Sequence, residues 1–474
     1  MNWINRIRGM WSKMFLRKEA KEVFNIDIQN TDKIDSYINR WSRITSGEPD
    51  WMDNSDDIVS LNLAQFIDDV TSGLVVLDIG ISMPDTPRGR QLQKIADYAL
   101  DRIDERVSSA LGNAGIVMKP NEETVDFYYP GSFIITDWNT NGEPTGIMFV
   151  TVRWIDERKY TKYEYHRFEK INGIKMYVIS NRAYKSKSES ARGEPCDLRA
   201  VKEWEGLFPD TYIEDVEQPL FVYYGNPKPN FLDRSSPMKI PFWANCLVEL
   251  EDFDIAWSRK RTEIEDSKHT TFVPEMAIQY AKSQNQKLPR FVKGLQISGN
   301  IAETKIHEHV ATLLTEQRIE DINSILALIS SKLGFDQGFL VLNEKTGAIT
   351  ATQVEADDQS TIRTIKNLRD PLKTSLIKLL YAANVFIDLY TDMPTEDWTA
   401  NYETFKKEVS DSFSFGDITY NYEEDRASWW KYRIQGDVPA WMYYTKFEGM
   451  SEDEAKAMIA EAQPKTPTLF GSEE

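Results

Sequence analysis

Phe242–Lys268 reads FWANCLVELEDFDIAWSRKRTEIEDSK, and Thr315–Leu333 reads TEQRIEDINSILALISSKL. In the first stretch Phe242, Cys246, Leu250, Phe253, Trp257 and Ile264 recur at three-, four- and seven-residue spacings, which predicts one long helix with an apolar stripe. Its other faces are densely charged, from Glu249 and Glu251 through Arg259, Lys260 and Arg261 to Glu265 and Asp266. In the second, Ile319, Ile322, Ile325, Leu326, Ile329 and Leu333 predict a return helix, stopped by Gly334. Between them, 270–314 has short apolar runs, Thr271–Val273 and Phe291–Ile297, around Pro274 and Pro289. From Met276 to Ala302 it holds Lys282, Lys287, Arg290 and Lys293 and no acid. Two long helices bracketing a small module predict an out-and-back stalk with a tip.

Upstream, the periodicity predicts three helices: about Thr31–Thr45 before Gly47, about Ser55–Ser72 before Gly73, and Pro87 to Leu111 before Gly112. From Gly115 to about Tyr224 the period becomes two. The runs Thr124–Tyr129, Gly146–Asp156, Tyr160–Glu169 and Ile174–Ser180, with turns at Asn141-Gly142 and Asn172-Gly173, predict antiparallel hairpins. The polar stretch Lys185–Pro195 reads as a mobile loop. Downstream, Phe335–Ala351 is strand-like with its turn at Lys345-Thr-Gly347. A helix follows from about Thr352 to Tyr390, with Pro371 as a kink. A capping box, Ser451 and Glu454, opens the last helix, and the tail from Pro464 is expected to be disordered.

The 474 residues carry 56 Lys+Arg against 75 Asp+Glu, a net charge of −19, with 41% hydrophobic residues. The length implies several structural units, and the apolar content excludes wholesale disorder. Asp388–Glu474 holds 19 acids and 8 bases, so −11 of that charge lies in the final stretch. Such acidity argues against a protein that coats nucleic acid through a basic face. Cys196 and Cys246 are the only cysteines, which excludes a disulfide scaffold and a Cys-rich zinc module. No apolar run is long enough for a membrane span. The first residues interleave Arg6, Arg8, Lys13, Arg17 and Lys18 with Ile4, Ile7, Met10, Trp11, Met14 and Phe15. That is an amphipathic basic helix rather than a secretory leader, expected to dock on its own fold or on a neighbouring copy.

Catalytic signatures are missing. There is no phosphate-cradling G-x-x-x-x-G-K-[ST] loop, no G-x-G-x-x-G after a strand and no G-x-S-x-G elbow. His307 and His309 diverge on a helix and share a face only on a strand, a weak metal signature. Glu251, Asp252 and Asp254 resemble a two-metal acidic group, but on a helix they splay around the axis, as a solvated or subunit-facing side does. Lys282, Lys287, Arg290 and Lys293 lack the aromatic ladder of a nucleic-acid site, apart from Tyr280 and Phe291, and read better as a protein-contacting or solvated loop.

The succession of motifs resembles the portal (head–tail connector) proteins of tailed bacteriophages, above all those of long-tailed phages of Gram-positive bacteria. Asn62–Val70 is similar to the early wing helix of that group. Ser235-Ser-Pro237 with Phe242, Ala244 and Asn245 is similar to its lead into the first stem helix. Arg318–Asn323 through Leu333-Gly-Phe335 is similar to the return helix, and Thr350–Val354 to the start of the long helix after it. Gly436, Pro439, Trp441 and Ser451–Ala455 follow in order. Met238–Pro241 and Gln353 depart from the customary residues.

The resemblance implies an α+β portal fold and a ring of about twelve copies around a channel. It divides the chain into an N-terminal amphipathic helix (1–24), a wing of helices then hairpins (25–238), stem helix 1 (239–269), a small α/β clip (270–314) and stem helix 2 (315–334). A tunnel-loop region (335–351), the long wing helix and its return (352–417), a helical crown (418–463) and a disordered tail (464–474) complete it. Implied partners are double-stranded DNA passing through, terminase, a head-completion adaptor, and major capsid and scaffold proteins. The place implied is one capsid vertex of the virion, after synthesis in the host cytoplasm. No catalytic activity and no cofactor are expected. Asn343, Glu344, Lys345 and Thr346 would face DNA, and Lys282, Lys287, Arg290 and Lys293 would form the clip docking surface. An acidic wall suits a conduit, because each neutralised phosphate strengthens binding and would stall a sliding duplex. The competing expectations are another virion structural protein, a minor capsid or tail component without a channel, and, more remotely, a metal nuclease.

Overall fold

The computed structural model describes residues 21–26, 32–53, 57–188, 191–234, 236–266, 270–284, 292–295, 307–309, 314–342, 349–351, 359–416, 429–434, 438–448 and 450–462. The basic helix expected at the N-terminus lies outside them, apart from a turn at Lys21–Phe24, as does the tail from Pro464. The chain is mixed α+β and divides into two compact units, 1–352 with 363–416, and 353–362 with 417–474.

The first unit starts with α1 (Asp32–Thr45), α2 (Leu63–Val75), α3 (Pro87–Leu100) and α4 (Ile103–Leu111). Their apolar stripes bury Ile34, Trp41, Ile67, Leu92, Val107 and Leu111. Two sequence expectations are corrected here. The helix predicted from about Ser55 begins at Leu63, because the preceding segment is held elsewhere. The Val59 amide donates to Ser258 Oγ at 2.9 Å and the Leu61 amide to Asp254 Oδ1 at 3.1 Å. The helix predicted over Pro87–Leu111 breaks in two, since Arg102 adopts a left-handed φ of 52°. Arg106 Nη1 caps the freed end by donating to the Tyr98 and Ala99 carbonyls.

Two sheets follow. One has β1 (Ile116–Pro120) between β2 (Val125–Tyr128) and β9 (Val222–Tyr224). The other is an antiparallel run of β3 (Phe133–Trp138), β4 (Pro144–Ile155), β5 (Arg158–Ile171), β6 (Ile174–Ser186) and β7 (Glu194–Cys196), with β8 (Asp210–Ile213) also paired to β6. Asn172 and Gly173 turn β5 into β6 with φ of 54° and 87°, as a two-residue hairpin requires. Lys185–Pro195, expected as a loop, is strand at both ends: β7 pairs back on β6, with Ala183 opposite Cys196 and Lys185 opposite Glu194. The backbone ladder supplies what the polar side chains do not advertise. Val23, Phe24 and Ile26 pack on the sheet against Ile134, Met148, Val150, Tyr163 and Tyr165.

Then come α5 (Leu247–Asp266), a three-stranded module of β10 (Thr270–Pro274), β11 (Val292–Leu295) and β12 (His307–His309) with α6 (Glu275–Ser283), and α7 (Thr315–Leu333). The predicted helix from Phe242 starts instead at Leu247 after a 3-10 turn, because Phe242 and Trp243 are buried against the helical layer, the Phe242 amide donating to the Leu111 carbonyl at 2.7 Å. The Trp243 indole donates to Asp68 at 2.9 Å. Gly334 ends α7 in the left-handed region, φ 92°. After β13 (Leu340–Leu342) and β14 (Ile349–Ala351), α8 (Gln359–Tyr390) runs with Pro371 inside it, and α9 (Tyr402–Ser410) packs near its end. Residues 352–358, predicted as its start, lie outside the described residues. Two buried arginines tie α8 to the helical layer. Arg88 donates to Asn384 Oδ1 and to the Met393 and Pro394 carbonyls, and pairs with Asp388. Arg369 donates to the Leu74, Val75 and Gly416 carbonyls.

In the second unit, α10 (Ala440–Phe447) and α11 (Glu452–Ala462) bury Tyr443, Phe447 and Ala455. Ser451 and Glu454 form the reciprocal capping box: the Ser451 amide donates to Glu454 Oε2 at 3.0 Å, and the Glu454 amide to Ser451 Oγ at 3.3 Å.

Candidate functional site: the paired helices and the sheet cleft

The α5–α7 pair is antiparallel, with Leu250 and Phe253 of α5 and Ile322, Leu326, Ile329 and Leu333 of α7 buried. Both ends are clamped by charge. At the base, Lys332 Nζ donates to Glu249 Oε1 at 2.5 Å and to the Asn245 carbonyl at 3.1 Å, and Asn245 Nδ2 returns a bond to the Lys332 carbonyl. At the far end, Glu263 accepts from Arg318 Nε and from the Leu314 amide, both at 2.9 Å. Val248, Ile264 and Leu328 remain exposed at 66, 51 and 49%. The pair thus has a closed seam, with apolar side chains such as Val248 and Leu328 exposed outside it.

Asp254 does not belong to a metal cluster. It is buried, accepts from Trp51 Nε1 at 3.0 Å and from the Leu61 amide, and burial pushes its carboxyl up from the ordinary range. Asp252, two positions away, is exposed. Among the described residues no group of three His, Cys, Asp or Glu is placed to hold a metal ion. No helix there is long and apolar enough to cross a membrane.

Of the four basic clip candidates, Lys282 sits exposed in the last turn of α6, and Lys293 lies on β11 opposite Phe272 of the parallel strand β10. Lys287 and Arg290 lie outside the described residues. His307 and His309 are on β12, paired antiparallel to Phe272 and Thr270. The tunnel-loop candidates Asn343, Glu344, Lys345 and Thr346 also lie outside the described residues. The chain on either side of them is paired: Leu340 faces Ala351, and Leu342 faces Ile349.

The first unit holds a site that the sequence reading missed. A cleft of about 790 Å³ opens on one face of β4–β6, walled by β1–β2, by Glu203–Phe208 and by Phe386 and Tyr390 of α8. On its floor Glu164 accepts from Lys119 Nζ and Lys162 Nζ, each at 2.6 Å, and lies 2.8 Å from His166 Nε2. All four are buried. The ionised Glu164 carboxylate can only accept, so the neutral His166 ring carries its proton on Nε2, facing it, and Nδ1 accepts from Tyr177 Oη at 3.0 Å, while that oxygen accepts the Leu220 amide at 3.1 Å. Burial alone would raise the Glu164 carboxyl, but Lys119, Lys162 and His166 hold it well below the usual carboxylate range. Burial pushes His166 down, against the pull of Glu164. The available signal was Lys162, Glu164 and His166 at period two on a strand whose alternate positions are Tyr163 and Tyr165.

No protein-family model matches this sequence, and no curated protein matches it.

Proposed function

We propose that the chain is a phage portal protein. Copies of it would form a ring-shaped channel at one capsid vertex, through which terminase drives DNA inward and from which DNA leaves at ejection, with the tail joined there. The observation that carries this reading is the clamped out-and-back pair α5–α7. A small α/β module sits at its turn, and a strand pair and the 32-residue helix α8 come directly after it. Exposed apolar residues on the outer surface of that pair suit copies packed side by side in a ring, where one patch meets a different patch on the neighbour. In this reading the chain guides DNA and catalyses nothing, Lys345 and its neighbours face the duplex, and the module between the stem helices receives terminase or the adaptor.

The test is the shape and mass of the purified full-length chain. Negative-stain images are expected to show closed rings with a central hole, at a native mass of about twelve copies. Filaments, or a chain that stays monomeric at every concentration, overturn the proposal.

A further inference from the structure

The exposed surface of the α5–α7 pair carries charges that the chain itself does not match. On α7, Glu316, Glu320 and Asp321 are exposed, and none of them pairs with a cation among the described residues. Glu316 lies in the first turn, where the helix dipole favours an acid. Glu320 and Asp321 lie beyond that turn, and Glu320 repels Glu316 at a spacing of four. On α5, Arg259 is exposed and has no carboxylate partner among the described residues.

The two clamps fix how these charges line up. Glu249 to Glu263 on α5 and Arg318 to Lys332 on α7 span the same fourteen residues, so the antiparallel helices run level without slip. Arg259 is therefore within about two residues, roughly 3 Å, of the height of Glu320 and Asp321. Glu251 and Asp252, the acids nearer the base of α5, lie level with Leu328, inside the run Ile322–Ser331 that holds no charge. Val248 is within a turn of Leu328 in height, and both are exposed. Copies related by rotation about an axis along the helices keep equal heights and alternate α5 with α7. In that register the acidic half of one α7 meets Arg259 of the next copy, and its uncharged half meets Glu251 and Asp252. A slip of two turns would set Glu251 and Asp252 against Glu320 and Asp321, like charge on like. An antiparallel pairing of α5 with its own copy would match Arg259 to Asp252 but leave the α7 acids unneutralised.

We propose that Arg259 of each copy forms an ion pair with Glu320 and Asp321 of its neighbour, with Val248 packed against the neighbour's Leu328. The contact is heterologous, α5 on α7, and it is the charges that set its height. It rests on the ring reading and deepens it by naming the side chains that hold adjacent copies in register.

Charge exchange in the full-length chain tests it. Arg259→Glu sets an acid against two acids, and Glu320→Arg sets a base against Arg259. Each alone is expected to raise the concentration needed for ring assembly about tenfold or more, the cost of a like-charge contact. The thermal melt of the dissociated chain should not change, because both positions are exposed. Arg259→Glu combined with Glu320→Arg is expected to return assembly to the wild-type concentration, and Arg259→Glu combined with Asp252→Arg is not. If wild-type rings form but neither single variant weakens them, or Asp252→Arg rescues in place of Glu320→Arg, the contact is wrong and the ring reading stands. If the wild type stays monomeric, both fall.

Discussion

Arg318 Nε donates to one oxygen of Glu263 while the other oxygen accepts the Leu314 amide, so a single carboxylate on α5 both pairs with α7 and caps its first turn. The amides that open a helix have no intrahelical partner, which makes the Glu263 side chain the fastening of the pair's far end. These two bonds hold the Glu263 carboxyl below its ordinary range. Glu263→Ala is expected to speed amide hydrogen exchange over 314–320 while leaving 328–333 protected, since the Lys332–Glu249 clamp remains. Equal loss of protection at both ends would show that the two clamps do not act separately.

Arg88 is fully buried, and its guanidinium reaches a side-chain amide and two carbonyls at the end of α8. Replacing it with Met keeps volume but removes every donor, leaving Asn384 Oδ1 and the Met393 and Pro394 carbonyls unsatisfied. Breaking one side of a buried charged network costs about 3 kcal/mol or more. Urea unfolding of Arg88→Met should show a loss of that order at unchanged m-value. A change below about 0.5 kcal/mol, the size of an ordinary surface substitution, would mean that α8 is held by its apolar face alone.

The α5–α7 pair was legible in the sequence because its signals are local. Ile319 to Leu333 repeat at helical spacing, and Gly334 stops the helix where a left-handed residue is needed. The β5–β6 hairpin was legible for the same reason, through Asn172-Gly173. What was not legible depends on distant partners. The break at Arg102 is invisible because the apolar stripe of α3 continues in phase into α4, and the Arg106 bonds that stabilise it are a tertiary detail. A helix was expected to start near Ser55, yet Asp254 and Ser258, some two hundred residues later, hold Val59 and Leu61 of that stretch as an extended strap. The cleft required Lys119 and Glu164 to meet across two sheets, a pairing that no spacing rule encodes.

Cys246 is completely buried, and burial, with Glu249 nearby, pushes its thiol up to about 12. Cys196 is half-buried, with its thiol raised less. Only the thiolate attacks a disulfide reagent, so the native chain should react with DTNB at Cys196 first, and at Cys246 only as the protein unfolds. Cys196→Ser should leave a native chain with almost no fast-reacting thiol. Rapid labelling of that variant would place Cys246 in contact with solvent.

Acid sensitivity follows from the cleft floor. The groups around His166 are Glu164 and Lys162 from its own strand, Lys119 of β1, Asp126 and Tyr128 of β2, and Tyr177 of β6, with Phe149 and Phe221 against its ring. Because burial lowers the folded-state pKa of His166, the unfolded chain takes up that proton first as pH falls. The stability it contributes is complete above about pH 6.5 and is lost below it. Glu164 is also depressed, so its contribution is present above about pH 4.5 and is lost below that. The melting temperature should therefore fall in two stages, gently below pH 6.5 and steeply below 4.5. His166→Gln retains a donor to Glu164 and an acceptor for Tyr177 but does not titrate, so it should remove the first stage and keep the second. Comparing the two proteins separates His166 from Asp68 and Asp254, whose buried carboxyls are shifted upward and act in the opposite sense. An identical decline between pH 6.5 and 5 in both proteins would show that His166 titrates alike in the folded and unfolded chain and that another group sets the first stage.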